Sequence, residues 1–342
     1  MAAEGVQSAS VTSRRFEVYG LRVDVDGGWD EVVDALAGDF AWFDVGEAAT
    51  RDPDVRVHVE HGSPDYSAFG DVAASFVTER NVVYHVGETT VIDYLGRAIS
   101  VLESSHARVT GLDATAARRA AFDFVLARIS DHLDRRSMPR LHGLGLTGAS
   151  GGVVIMLPSG GGKTTLALRA LREDGVRFLS EGSPIIDAKG RLHALPFPLW
   201  VRDSAPEAAG LPPEHVRRVG GELSDPRILE LSAFSERIET EPRELAHIVL
   251  GRRSLGEHSS LEPLPRRAAV PTLLRDSVVG FGFFQGAEFL LRHGLRDLRH
   301  RAGPMSTRAR ACAAGLRSAH VWQLTLGRDR EGNWQALEPL LR

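Results

Sequence analysis

The chain has 342 residues, of which 43% are hydrophobic and 25% are charged, and its formal net charge at pH 7 is −4. This size and composition predict a globular chain of two domains, and the slightly acidic balance argues against nucleic acid or a membrane as a partner. The single cysteine, Cys312, excludes an internal disulfide, and because neither a secretory signal nor a run of roughly 20 apolar residues is present, we expect a cytoplasmic protein.

The first 136 residues predict a disordered tail at 1–14 and a small α+β domain at 15–136. The tail is small and polar, which is typical of disordered chain. One amphipathic segment at 29–40 predicts a short helix, and a longer one at 113–136 predicts a helix that links this domain to the next. Runs rich in β-branched residues predict strands at 16–25, 55–59, 82–86, 89–95 and 97–103.

Residues 137–342 predict a second, α/β domain around a glycine-rich segment. Two short strands are expected within 141–156, and a helix at 164–174 stops at Gly175. A strand at 176–180 and a hairpin that turns at Lys189-Gly190 come next. Further strands are predicted at 246–253 and 320–329, and further helices at 268–276 and 304–316.

The segment VVIMLPSGGGKTT (153–165) reads as a strand that runs into a phosphate-binding loop and a helix. Glycines allow the backbone to approach phosphate oxygens, and the helix N-terminus favours an anion. The general motif G-x-x-x-x-G-K-[ST] has glycine where this chain has Leu157, so the cradle must come from the residues after Pro158, which has no N–H. The predicted nucleotide-binding residues are Ser159, Gly160, Gly161, Gly162, Lys163, Thr164 and Thr165.

Several motifs together resemble the HPr kinase/phosphorylase-like P-loop kinases, and most of all the HPr-kinase-related proteins of peptide natural-product pathways. The matching segments are LHG (141–143), PSGGGKTT (158–165), LREDGVRFLSEG (171–182) and LPFPLWVR (195–202). The resemblance implies an N-terminal α+β domain followed by an HPr kinase-like P-loop core with a mixed β-sheet. It also implies ATP and Mg²⁺ as cofactors, and it makes a homo-oligomer reasonable.

Carried over by position, the resemblance implies that His142 lies near the phosphates, that Lys163 contacts them and that Glu181 is the base for the acceptor hydroxyl. Thr164 and Glu181 are the implied Mg²⁺ ligands. The family has two adjacent acids after this strand, whereas this chain has Glu181-Gly182, and Asp187 is the candidate to replace the missing metal ligand. The motif E-[IV]-R-G-[LM]-G of true HPr kinases is absent, so HPr itself is not the expected substrate.

The expected function is an ATP- and Mg²⁺-dependent kinase that phosphorylates a hydroxyl, with serine favoured, on a peptide or small-molecule acceptor. One alternative is a nucleotide-binding module that has lost phosphotransfer and serves recognition or regulation. Another is ATP-dependent activation of a peptide carboxylate or amide. The arginine-rich segment 291–317 could dock an acidic peptide, but a solvated helical face is the favoured interpretation. For Arg252-Arg253, a surface position is likewise favoured over a phosphate contact.

Overall fold

The computed structural model describes residues 12–46, 51–201, 211–218, 227–279 and 294–342, with the side chains of 294–302 left out. These residues have an α/β fold, as the sequence predicts. The chain divides into two compact units, Met1–Ile129 and Ser130–Arg342, and the division lies inside the long helix at 114–135. Of the predicted tail, residues 12–14 belong to the first strand, and the residues before them lie outside the described part.

The first unit is built on an eight-stranded sheet in the order β1-β2-β3-β8-β7-β6-β5-β4. The β2–β3 and β3–β8 pairs are parallel and the remaining pairs are antiparallel. Helix α1 (Asp30–Asp39) buries Val32, Val33 and Leu36, which share one face at helical spacing. Helix α2 (Ala114–Arg135) begins in this unit. The strands are β1 Thr12–Val18, β2 Leu21–Gly27, β3 Val55–His61, β4 Phe76–Val77, β5 Val82–Val86, β6 Thr89–Asp93, β7 Ala98–Leu102 and β8 His106–Gly111.

The second unit has a larger mixed sheet, a three-stranded sheet and four further α-helices among its described residues. The strands of the larger sheet are β9 Leu144–Gly148, β10 Gly151–Met156, β11 Arg177–Glu181, β12 Ile185–Ile186, β13 Arg191–His193, β17 Arg243–Arg253, β18 Ser260–Leu264 and β19 His320–Leu326. The smaller sheet contains β14 Leu199–Val201, β15 Val216–Arg218 and β16 Arg227–Leu229. The helices are α3 Lys163–Ala170, α4 Val270–Leu273, α5 Gly294–Ser318 and α6 Arg330–Leu337.

Strand β10 lies in the interior of the larger sheet, antiparallel to β9 and parallel to β17, which is itself parallel to β19. Its side chains alternate between two cores, with Val153 and Ile155 in one and Val154 and Met156 in the other. Because both faces are covered, the strand reads as a continuous apolar run. The carboxyl ends of β10, β17 and β19 meet at one edge of the sheet, where ligands of α/β proteins bind.

Some predicted helices differ from those observed. Helix α3 ends at Ala170, because the chain then turns and reaches a positive φ of 77° at Gly175. The helix predicted at 268–276 is composite: a 3₁₀ turn and α4 lead into a single π-helical turn at Leu274–Val279, called the π-turn below. The helix predicted at 304–316 is part of the longer α5, which holds Pro304 in its interior. Within the described ranges, no helix is both long and apolar enough to cross a membrane.

Candidate functional site

A glycine loop at 157–162 joins the end of β10 to the start of α3. Gly160 and Gly162 have φ values of 70° and 107°, which glycine adopts without a Cβ penalty. Gly162 is the N-cap residue of α3, and no side chain caps the helix. In the described part of the chain, the backbone N–H groups of residues 163–165 find no acceptor. Since a Cβ on Gly160 would meet no atom of the described residues within 4 Å, the loop has a side that these residues leave open to an anion.

Leu157, which departs from the general phosphate-loop motif, belongs to the core. Its exposed fraction is 3%. A Cβ at position 251 of the neighbouring strand β17 would lie 2.4 Å from Leu157 Cδ2, so Gly251 leaves the space that the leucine fills. Leu157 therefore fixes the first residue of the loop by packing in the core. The open side of the loop is formed by the glycines at 160–162, which this departure from the motif does not change.

Lys163, at the first position of α3, folds back over the loop. Its Nζ donates to the carbonyl oxygens of Leu157 at 2.7 Å and Pro158 at 3.2 Å. Burial lowers the pKa of Lys163, and the negative charges of Glu181 and Asp276 oppose this shift. The ammonium group is thus a partly buried cation whose hydrogen-bond acceptors are neutral, so an anionic phosphate could replace them.

Thr164 and Glu181 form the closest polar contact of the site. The Thr164 hydroxyl donates to Glu181 Oε1 at 2.5 Å, and no other hydrogen bond to this carboxylate occurs among the described residues. Glu181 is the last residue of β11. Strand β9 pairs with β11 on one side and with β10 on the other, so it lies between the strand of Glu181 and the strand that leads into the loop. Burial raises the pKa of Glu181, although the Thr164 hydrogen bond and the Lys163 charge act to lower it. Hydroxyl and carboxylate oxygens are ligands that Mg²⁺ accepts.

His142 lies in the segment between α2 and β9. Burial is the main cause that lowers its pKa to about 4, with further lowering by the charges of Lys163, Arg140 and Arg275 and opposition from Asp276. The imidazole is therefore neutral at pH 7. Its backbone N–H donates to Ser277 Oγ at 3.3 Å, which ties this segment to the π-turn.

Asp187, predicted as a metal ligand, is engaged inside the β12–β13 hairpin. Its oxygens accept from the backbone N–H groups of Lys189 and Arg191 at 2.9 Å each, from Arg191 Nε at 2.9 Å and from His193 Nε2 at 3.1 Å. Burial alone would raise the pKa of Asp187, but these hydrogen bonds outweigh it and lower the pKa to about 2. No described contact joins Asp187 to Thr164 or Glu181, and its metal role stays a prediction.

Four residues near the loop or His142 lie outside the set of predicted site residues, and for one of them, Arg253, the sequence favours a surface position over a phosphate contact. Arg253 ends β17, and its Nη2 lies 3.9 Å from the point where a Cβ on Gly162 would stand. Arg275, Asp276 and Ser277 belong to the π-turn. The sequence does mark the three π-turn residues, because the charged pair Arg-Asp interrupts the mostly apolar run VPTLLRDSVV (270–279). Nothing in that run, however, indicates the hydrogen bond between Ser277 and His142, which lies more than a hundred residues earlier.

Two arginines in segments considered for ligand binding, Arg308 and Arg252, have side-chain partners in the structure. Arg308, in the arginine-rich segment, pairs with Asp134 at 2.6 Å, and Asp134 has a side-chain exposure of 5%. This arginine is therefore not a member of a solvated face. Arg252 Nε donates to Thr325 Oγ1 at 3.0 Å on the neighbouring strand. Over the described ranges, no group of three or more His, Cys, Asp or Glu side chains is arranged to hold a metal ion.

No protein-family model matches this chain, and the comparison with curated proteins gives no match.

Proposed function

We propose that this protein is an ATP- and Mg²⁺-dependent kinase that transfers phosphate to a hydroxyl, with serine favoured, on a peptide or small-molecule acceptor. Its setting would be the maturation of a peptide natural product. The observation that carries the proposal is the contact between Thr164 and Glu181 at the start of α3, directly beside an open glycine loop. A loop that only connected a strand to a helix would not need a hydroxyl, a carboxylate and a lysine together at this point.

The loop fits the phosphates of a nucleotide. The N–H groups of residues 163–165 lack acceptors within the described structure and lie at the positive end of a helix. Lys163 would exchange its two carbonyl partners for phosphate oxygens. Arg253, whose guanidinium has no ion-pair partner among the described residues, lies close enough to Gly162 to add a second positive charge.

Thr164 and Glu181 fit a hard cation, since both present oxygen atoms and the two side chains already touch. Bound Mg²⁺ would neutralise part of the charge on the phosphate oxygens. Within this chain, the Thr164 hydroxyl and Glu181 Oε1 would hold the ion, and the second Glu181 oxygen, which makes no hydrogen bond in the described structure, stays available for a proton.

Glu181 is suited to act as the base. A carboxylate whose pKa is raised by burial accepts a proton more readily near neutral pH. As the acceptor oxygen forms its bond to the γ-phosphorus, its proton passes to Glu181, the bond from the γ-phosphorus to the bridging oxygen breaks, and ADP leaves. Lys163 and Arg253 would hold the phosphate oxygens during this displacement, and neutral His142 could share a hydrogen bond with them.

The test is transfer of label from γ-labelled ATP to a library of serine-containing peptides, with hydrolysis to free phosphate measured in parallel. Lys163→Ala should abolish both signals. Lys189→Ala is the matched control, because Lys189 is the only other lysine in the chain, and it should behave as wild type. Label transfer that survives Lys163→Ala would sink the proposal.

A second candidate is a nucleotide-binding module without phosphotransfer. It is favoured by Gly182, which stands where the resembled family has a second acid. Titration calorimetry that shows ATP binding, abolished by Lys163→Ala, together with no product from any acceptor would support it over the kinase.

A further inference from the structure

The segment that carries His142 pairs with the segment that carries Glu181. Strand β9 pairs with β11 as far as Leu144, which lies opposite Glu181, and backbone hydrogen bonds continue the same antiparallel register along 139–143 and 182–186. These bonds run from Gly182 N to Gly143 O at 2.8 Å, from Leu141 N to Pro184 O at 2.7 Å and from Ile186 N to Pro139 O at 2.9 Å. The two predicted site residues therefore lie on one continuous pairing of extended segments.

The backbone pairing is incomplete in the stretch beyond Glu181. Pro139 and Pro184 have no N–H, so each of the pairs that they form lacks one of its two possible hydrogen bonds. Gly182, directly after Glu181, has a φ of 93°, which interrupts the regular strand geometry. The backbone alone therefore holds the two segments together less firmly here than in a regular strand pair.

A side-chain hydrogen bond joins the two segments in this stretch. Arg140 Nη1 donates to Ser183 Oγ at 3.1 Å. Arg140 is two residues from His142, and Ser183 is two residues from Glu181. Ser183 has an exposed fraction of 8% and stands opposite His142 in the register, because two of the backbone bonds flank these positions. The bond is thus shielded from water and links positions close to both predicted site residues.

We propose that Arg140 and Ser183 are positioning residues for phosphate transfer. Their hydrogen bond holds Glu181 and His142 in a fixed arrangement around the acceptor hydroxyl, and this inference rests on the proposed function. The cradle for the nucleotide phosphates lies at the start of α3, on the other side of the contact between Thr164 and Glu181. Loss of the Arg140–Ser183 bond should therefore impair the transfer step and leave ATP binding intact.

The test measures kcat, and the KM and Kd for ATP, in variants at both ends of this bond, with a serine-containing peptide as acceptor. Ser183→Ala removes the acceptor oxygen, and kcat should fall by about 10- to 100-fold, because a small displacement of a reacting group costs that much. The KM and Kd for ATP should stay within about twofold of wild type. Arg140→Gln should show the same split, and Arg140→Lys, which keeps a charged donor, should recover part of the lost kcat.

A double variant and a matched control separate positioning from general support of the fold. Ser183→Ala combined with Arg140→Gln should lower kcat no further than the stronger single variant, because the same bond is lost in each. Thr147→Ala is the control, since it removes a buried hydrogen bond of equal length, from Thr147 Oγ1 to Glu239 Oε2 at 3.1 Å, near the far end of β9. It should lower the melting temperature and leave kcat unchanged.

Four results would each overturn the inference. They are a kcat within about twofold of wild type in Ser183→Ala and Arg140→Gln, a loss of ATP affinity in proportion to the loss of kcat, additive losses in the double variant, and an equal loss of kcat in Thr147→Ala. If wild-type protein transfers phosphate and one of these results is found, the inference alone fails. Wild-type protein that transfers no phosphate to any acceptor overturns the kinase proposal and this inference with it.

Discussion

Glu181 and Asp187 are near neighbours in sequence, and their surroundings are opposite. Glu181 is the last residue of β11, and Asp187 directly follows β12. Asp187 accepts hydrogen bonds from two backbone N–H groups and two side chains of its own hairpin, and its pKa falls to about 2. From the residues that the structure describes, Glu181 accepts one hydrogen bond, from the neutral Thr164 hydroxyl, and burial raises its pKa.

This difference teaches how to separate a structural carboxylate from a reactive one. A carboxylate whose oxygens are all engaged by local donors stabilises the fold and has no capacity for a proton or an ion. A buried carboxylate with one neutral partner costs stability in its charged form, and such costs are concentrated at functional sites. Two glycines differ in a similar way. A Cβ on Gly160 would meet no described atom within 4 Å, whereas a Cβ on Gly190 would lie 2.7 Å from the backbone nitrogen of Gly315.

The largest expected effect is on catalysis, from Glu181→Gln. Glutamine keeps the shape and can still accept from Thr164, but it cannot take a proton, so phosphate transfer should fall by about 10²- to 10⁴-fold. Thermal unfolding should show an unchanged or higher melting temperature at pH 8, because the variant removes a buried charge. If the melting temperature of this variant falls together with its activity, Glu181 stabilises the fold as Asp187 does, and the contrast between the two carboxylates is wrong.

Gly190→Ala should strongly destabilise the hairpin that holds Asp187. Its φ of 84° and the close backbone of Gly315 leave no room for a methyl group. We expect a loss of about 2–4 kcal/mol in the free energy of unfolding, measured by urea denaturation. A loss below about 1 kcal/mol would mean that the hairpin moves easily and does not fix Asp187.

Asp187→Asn should lower the free energy of unfolding by about 1–3 kcal/mol, because donors that now face a carboxylate lose a strong acceptor. The depressed folded-state pKa means that Asp187 stabilises the fold above its ordinary value of 3.8, and that this contribution is lost as the pH falls toward about 2. Wild-type stability should therefore decrease over that window, and the Asn variant should show a flatter curve.

Glu181 should give the opposite pH response. Its pKa is raised above 4.5 in the folded state, so wild-type stability should decrease as the pH rises through and beyond that value, and Glu181→Gln should remove this slope. Denaturation curves collected from pH 2 to pH 8 on both variants check the two signs in one experiment. Slopes of the same sign for both residues would contradict the comparison.

Among the destabilising variants Gly190→Ala, Asp187→Asn and Gly160→Ala, the smallest loss of stability is expected from Gly160→Ala. The added Cβ meets no atom of the described ranges within 4 Å, so only the positive φ of 70° is penalised, at about 1 kcal/mol. ATP binding, followed by calorimetry, should still weaken, because the methyl group points to the open side of the loop. Unchanged binding would show that phosphates approach the loop from elsewhere.

The sequence alone determined the strands and helices with strong periodicity and the glycine loop between them. The run Val153–Met156 and the glycines before Lys163 predict a strand, a turn and a helix, because these elements depend on the conformational preferences of neighbouring residues. The resemblance implies that Thr164 and Glu181 are both Mg²⁺ ligands, and in the structure their side chains are in contact.

Only the tertiary structure decided which carboxylates meet the loop and in what state. Leu157 departs from the phosphate-loop motif, and only the structure shows that it fills the space beside Gly251 of a neighbouring strand. Asp187 is predicted as a metal ligand from the sequence, and only the structure shows that donors of its own hairpin engage its oxygens. These outcomes depend on contacts between residues far apart in the chain and on burial, which changes the cost of a charge without leaving a trace in the local sequence.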